Sequence, residues 1–391
     1  MGRAGAGSGV GARFIAPCLV APHARRHRAV RTGRRMDISV IGAGGAIGRE
    51  IVAQLVAGRV LRPTERLQLV GRRGGASERV LYGLRSDLTD AYAENAPQMD
   101  IALGPEEVVG DILVMAAGAT PGAGAGGVMS RDDVAQANLP VFDELARAVA
   151  RYGQGREVVL MVTNPVELGV TVMARHLGAR RVIGIGAYSD SLRFRREIAA
   201  DLGVPRQLVS GYVAGEHGTN LVPLWSSVRV YGLDDAETEQ AVRTLRGGGT
   251  AADFPDRVEA ARESIRPLFL SDTRAAFEAI EAMPPDVRVQ LRPEMTHLSG
   301  ARTVMATANV TVDMVRQMME GREMSVAGQV MLEGEGVYGI RGVMGMPLIV
   351  SHQGVVRVLA PPVWQEEARA LHEASAGISE KIARWTGGAA W

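Results

Sequence analysis

The chain has 391 residues, 46% hydrophobic and 22% charged, enough to bury cores in two or three domains of about 100–200 residues each. A small disulfide scaffold, a disordered polymer and a fibrous protein are excluded, and the single cysteine, Cys18, permits neither an intrachain disulfide nor a cysteine-based metal site. The net charge of +1 conceals an asymmetry: residues 1–35 hold eight arginines and no acid, and without them 36 basic residues face 43 acidic ones, a net of −7.

The mildly acidic body gives no reason to expect nucleic acid as a partner. No run of about 18 apolar residues occurs, so no membrane-spanning helix is expected. Residues 1–35 read as a disordered basic extension. They share arginine richness and lack of acid with organelle-targeting segments, but are poor in serine and interrupted by Gly and Pro. Lys381 is the only lysine, a bias that suits a GC-rich gene with an upstream start, and a cytoplasmic setting is the expectation.

From Met36 onward short apolar runs alternate with helical stretches, the pattern of a parallel sheet with crossover helices. Asp37–Ile41 predicts a strand, and Arg49–Ala57 a helix stopped by Gly58. Between them stands Gly42-Ala43-Gly44-Gly45-Ala46-Ile47-Gly48. Glycines in such a strand-to-helix turn let backbone N–H groups approach a pyrophosphate at the helix N-terminus, so Gly42, Gly45, Ala46, Ile47 and Gly48 are candidate cofactor contacts. The next strand, Leu67–Val70, ends in Gly71-Arg72-Arg73-Gly74. An acid here would bond the ribose hydroxyls of NAD; Arg72 and Arg73 instead suit the 2′-phosphate of NADP, or are solvated loop arginines beside a bound NAD.

Ile112–Ala116 and Val158–Val162 predict further buried strands, each ending at the edge where open α/β sheets bind ligands. Beyond about residue 184 longer helices take over, Ser191–Leu202 and Val363–Trp385 among them, with strands at Leu348–Ser351 and Val355–Leu359. The fold class is therefore α/β: a Rossmann-type doubly wound parallel sheet over 36–183, then an α+β substrate domain over 184–391. The Gly-rich Arg246–Ala252 stretch and the charged segment up to about Met295 predict an inserted surface excursion. Met314, Val315, Met318 and Met319 fall at helical spacing, as a packing or subunit surface. Leu371, Ala374, Ile378 and Ile382 give the last helix a docking face.

Two short segments carry chemistry. In Ser189-Asp190-Ser191-Leu192-Arg193, with Ser189 as a helix N-cap, the i, i+3 spacing puts Asp190 and Arg193 on one face, as a cleft-facing pair or a surface ion pair. In Gly215-Glu216-His217-Gly218, small neighbours leave an imidazole accessible. His176, His297, His352 and His372 share no metal-like spacing, and no metal is assigned.

Together these segments resemble the lactate/malate dehydrogenase family, and its malate branch more closely, from Met36 to about Ile382. Gly42–Gly48 is similar to the family's GAxGxIG turn, Met129-Ser130-Arg131-Asp132-Asp133 with Asn138 to GM(S/T)RDD…N, and Val162-Thr163-Asn164-Pro165-Val166 to VTNPV. Ser189–Arg195 resembles LDSxRxR, and Gly215–Gly218 is similar to GEHG. The resemblance implies His217 as proton donor and acceptor with Asp190 as its orienting partner. It likewise implies Arg193 on the substrate carboxylate, Arg131 polarising the reacting carbonyl, Asn164 on the substrate oxygen and nicotinamide side, and Gly118, Asn138 and Val162 beside the cofactor. It further implies NAD or NADP as cofactor, a small 2-hydroxy or 2-oxo acid as partner, and a homodimer or homotetramer.

The chain departs from the family where an arginine in a PRKPG-like loop meets malate's second carboxylate. Here Gly118–Met129 contains neither arginine nor glutamine. Arg302, in Gly300-Ala301-Arg302-Thr303, is the candidate replacement, or an arginine in solvent. The expectation is an NAD(P)-dependent L-2-hydroxy acid dehydrogenase with malate and oxaloacetate as leading pair. Its rivals are a lactate-type or other monocarboxylate enzyme and a non-catalytic dinucleotide-binding protein.

Overall fold

In a computed structural model of the chain, residues 35–119, 130–334 and 337–388 are described below. The expected extension therefore lies outside the described residues except for Arg35, which bonds Asp37 and Gln98.

The first half alternates strand and helix as the apolar pattern predicts: β1 (Ile38–Ile41), α1 (Ala46–Ala57), β2 (Arg66–Val70), α2 (Ala76–Ala91), β3 (Gln98–Ala102), β4 (Ile112–Met115), α3 (Arg131–Tyr152), β5 (Val158–Met161), α4 (Val166–Leu177) and β6 (Val182–Gly184). These strands are parallel and lie in the order β3-β2-β1-β4-β5-β6. Strands β1, β4 and β5 are wholly buried, as helix-covered parallel strands must be. The order reverses between β1 and β4, which is where such a sheet opens a crevice for a dinucleotide. The register aligns Ile41 with both Val70 and Met115, so the turns after β1, β2 and β4 open on one edge.

The second half contains α5 (Gly186–Leu202), β7 (Val209–Gly215), β8 (Leu221–Val230), α6 (Asp235–Arg246), α7 (Phe254–Ser271), α8 (Thr273–Glu281), α9 (Pro285–Leu298), α10 (Val304–Met319), β9 (Met324–Glu333), β10 (Arg341–Ser351), β11 (Gly354–Val358) and α11 (Gln365–Trp385). Its strands are antiparallel and extend the same sheet. The junctions are narrow: β9 meets β6 at Gly184 and Gln329, and β10 meets β7 at Gly345 and Gly215. Met314, Val315 and Met318 are buried in the chain's own core, and Leu371, Ala374 and Ile378 dock α11 on it. No described helix is long and apolar enough to cross a membrane.

Two expectations need correction. Ser189 is not an N-cap, because α5 starts one turn earlier, behind Ile185, leaving Ser189 buried inside the helix. The segment from Arg246 to Met295 is no surface excursion either. Beyond the end of α6 it forms α7 to α9, which bury Val258, Ile265, Ile280, Val287, Leu291 and Met295. Its charge misleads because part of it is internal: Arg288 is buried against Glu197 at 2.9 Å, and Arg292 meets Glu197 at 3.0 Å.

Candidate active site

The glycine turn from β1 to α1 is tightly packed against its own backbone. Gly42 has φ +86°, and a Cβ there would lie 2.6 Å from the Ala117 backbone; one on Gly48 would lie 2.2 Å from the Gly42 carbonyl oxygen. Only glycine lets β1, the loop after β4 and the start of α1 pack this tightly. The turn is tied to β2 by the N–H of Gly42, which donates to the Val70 carbonyl at 2.9 Å. Gly45 caps α1 without a side-chain hydrogen bond, and the first turn, where Ala46 and Ile47 stand, holds no acid. The helix thus presents free N–H donors and an uncompensated positive end.

Along the same edge, Arg72 and Arg73 are exposed after β2, and Arg73 pairs with Glu107 at 3.2 Å. Gly118 follows β4, where a Cβ would strike Thr163 and Asn138. The fully buried Asn138 accepts from the Ala119 N–H at 2.6 Å and donates to the Asn164 carbonyl at 2.7 Å. Its side chain thereby pins the ends of β4 and β5. Val162 is buried at the end of β5, and Asn164 is exposed just beyond it. The rest of the Gly118–Met129 loop, at 120–129, lies outside the described residues.

His217 sits in the turn from β7 to β8. Gly215 and Gly218 have φ +85° and +83°, and a Cβ on Gly215 would stand 2.4 Å from the Asn220 carbonyl oxygen. The turn therefore needs these glycines for its conformation as well as for access. The imidazole Nδ1 lies 2.7 Å from Asp190 Oδ2, across 27 residues of chain. The other oxygen of Asp190 accepts from Arg193 at 2.7 Å, so the pair on α5 is neither solvated nor isolated. Burial pushes the Asp190 carboxyl up, but His217 and Arg193 outweigh it and hold the group below its ordinary value.

Arg131, the first residue of α3, reaches across to the histidine turn. Its guanidinium donates to the His217 carbonyl at 3.0 Å and to Thr219 Oγ1 at 2.7 Å. Behind it stand two buried carboxylates, Glu216 at 3.2 Å and Glu167 at 3.5 Å. Glu167 also accepts from the His217 N–H at 2.8 Å, and burial raises its carboxyl above the ordinary value. Gln290 on α9 fixes the far side of the turn by donating to the Gly218 carbonyl at 2.8 Å. Arg302 is exposed beyond α9 with φ 56°. Burial, and then the charges of Arg302 and Arg193, lower the pKa of His297.

The structure thus brings His217, Asp190, Arg193 and Arg131 into one cluster and places the glycine turn, Gly118 and Asn164 along one strand edge. Glu167, Gln290 and Lys381, which bonds Glu216, are supporting residues that the sequence reading missed. Glu167 directly follows the VTNPV segment and Lys381 is the only lysine, the sole hints the sequence offers.

Comparison with known proteins accords with this geometry. Residues 36–184 match the family described as lactate/malate dehydrogenase, NAD binding domain. The malate dehydrogenase of Methanothermobacter marburgensis is 31% identical over 202 residues, 51% of this chain and 59% of that protein. That of Ehrlichia chaffeensis is 27% identical over 364 residues, 89% of this chain and 98% of that protein. Residues 36–184 thus resemble the NAD-binding domain of the lactate/malate dehydrogenase family, and the chain as a whole is similar to malate dehydrogenases. The fold is similar to that of the lactate dehydrogenase from Cryptosporidium parvum, solved with lactic acid and nicotinamide adenine dinucleotide. The TM-score to it is 0.69 at 20% identity, covering 90% of this chain and 98% of that one.

Proposed function

We propose that the chain is an NAD(P)-dependent L-2-hydroxy acid dehydrogenase, with malate and oxaloacetate as its leading substrate pair. The observation that carries this reading is the 2.7 Å contact of His217 Nδ1 with Asp190, beside Arg193 and Arg131. Residues 36–183 form the cofactor domain and 184–391 the substrate domain in this reading, in a cytoplasmic homodimer or homotetramer.

The glycine turn fits a dinucleotide, because the start of α1 is left without a capping side chain or an acid in its first turn, so its N–H groups can take a pyrophosphate. NAD, when bound there, supplies or accepts the hydride. The chain's own groups do the rest. With Nδ1 held by Asp190, Nε2 of His217 is left to protonate the oxygen of a 2-oxo acid as it becomes an alkoxide, and to recover that proton in reverse. Arg193 offers its remaining guanidinium N–H groups to the substrate carboxylate. Arg131 polarises the reacting carbonyl, and Asn164 faces the same oxygen.

Two finer readings have specific support. The lack of arginine in Gly118–Met129 favours a lactate-type or other monocarboxylate substrate unless Arg302 supplies the missing charge. Arg72 and Arg73 favour NADP, although Glu107 already engages Arg73. Oxidation of NADH and NADPH followed at 340 nm with oxaloacetate, pyruvate and longer 2-oxo acids separates these cases. Oxaloacetate is expected to react fastest; cofactor binding without turnover on any acid refutes the dehydrogenase reading and leaves a dinucleotide-binding protein.

A further inference from the structure

The only lysine of the chain is spent behind the candidate active site. Lys381, on α11, places its ammonium 2.9 and 2.7 Å from the two carboxylate oxygens of Glu216. Glu216 is 1% exposed and immediately precedes His217. Its oxygens also face Arg131 at 3.2 Å and the Asn220 amide at 2.7 Å. Glu167, equally buried, faces Arg131 from α4. Two carboxylates and two cations therefore meet behind the histidine turn, and the charges balance only while Lys381 is present. The same helix is fastened to the start of α3, where Trp385 and Arg384 both donate to Asp132, the neighbour of Arg131.

The balance matters because Arg131 has two calls on its guanidinium. In the dehydrogenase reading it must meet the substrate oxygen, while the carboxylates behind it draw it back at close range and low local dielectric. A second cation that holds both oxygens of Glu216 weakens that draw. We infer that Lys381 is a positioning residue, whose ammonium neutralises Glu216 and so leaves Arg131 directed at the substrate. It touches neither substrate nor cofactor. This inference rests on the proposed activity and adds a residue far along the chain to its machinery.

Full-length Lys381→Met, Lys381→Arg, Glu216→Gln and the double variant Glu216→Gln/Lys381→Met test it, assayed with the best 2-oxo acid of the parent. Lys381→Met is expected to lower kcat by about tenfold to a hundredfold, the usual scale for a misdirected catalytic group. NADH affinity, read by nicotinamide fluorescence, is expected to change by less than about twofold, since Lys381 and its partner Glu216 make no bond to the glycine turn. Lys381→Arg keeps most of kcat. The double variant recovers most of what Lys381→Met loses, because the carboxylate that pulls on Arg131 has gone with its counter-charge. A role confined to bracing α11 predicts instead that the double variant is no better than Lys381→Met, and that result overturns the inference, as does parental kcat in Lys381→Met. Should Lys381→Met fail to fold, the double variant decides: kcat near the parental value supports the inference, and a loss equal to that of Arg131→Ala overturns it. A parent chain that reduces no 2-oxo acid refutes the dehydrogenase reading itself, and the inference with it.

Discussion

Gly186 lies directly against the His217 imidazole: a β-carbon at position 186 would stand 2.4 Å from the ring Cγ. The ring is thus seated by the absence of a side chain on α5 as well as by the carboxylate of Asp190 on the same helix. Gly186→Ala must push the ring off this seat, since the obstructing atoms belong to the imidazole proposed as the acid–base group. Its kcat is expected to fall about a hundredfold, within the range that general acid–base groups contribute. His217→Asn should lose at least as much, and NADH binding by fluorescence should survive in both.

Asp190 links this geometry to acid stability. Its folded-state carboxyl titrates below the ordinary value, because the pull of His217 and Arg193 exceeds the cost of burial. The sign follows: the ionised form is favoured by folding, so the contribution is complete above the unfolded value of about 3.9 and is lost as pH falls through the lower folded value. Thermal midpoints of the parent and Asp190→Asn between pH 7 and pH 3 should therefore converge toward the acid end. A gap that widens on acidification would contradict the assignment.

Glu167 behaves in the opposite sense. Burial raises its carboxyl, and the cation Arg131 only partly offsets this, so folding disfavours the charged form. Glu167→Gln retains an oxygen to accept the His217 N–H. The change in thermal midpoint caused by Glu167→Gln should thus be more positive at pH 8 than at pH 5, where the parent carboxyl is closer to neutral.

Glu107 sets the availability of Arg73 through an exposed pair at 3.2 Å. Glu107→Gln is expected to lower KM for NADPH by about threefold, in keeping with the small energy of exposed pairs, and to leave KM for NADH unchanged. Equal effects on both cofactors would remove Arg73 from any contact with the 2′-phosphate.

The buried Arg288 accounts for the helices that a charge-based reading places on the surface. Arg288→Ala leaves Glu197 buried without one of its cations, and should cost about 3–5 kcal/mol in urea unfolding. The lesson extends to the whole sequence. The β1 strand, the glycine turn and α1 are legible because strand, turn and helix are contiguous and each is dictated locally by apolar pattern and glycine. Asp190 and His217 were found through flanking residues that announce their motifs. Glu167, Gln290 and Lys381 were not, since each acquires its meaning from a partner at least 36 residues away, a distance over which no periodicity speaks. Charge density misled over Arg246–Met295 because ion pairs can be interior when each member compensates the other for lost hydration.

Helix α5 begins behind Ile185, which offers no capping side chain; the acceptor for the Ala187 N–H is instead the amide oxygen of Gln329, on β9, at 3.1 Å. During translation the ribosome must therefore deliver the closing third of the polypeptide before the element bearing Asp190 and Arg193 acquires its anchor. A nascent chain halted after β8 would already own every parallel strand and the glycine turn, yet its α5 would still lack the partner that ties down its first turn.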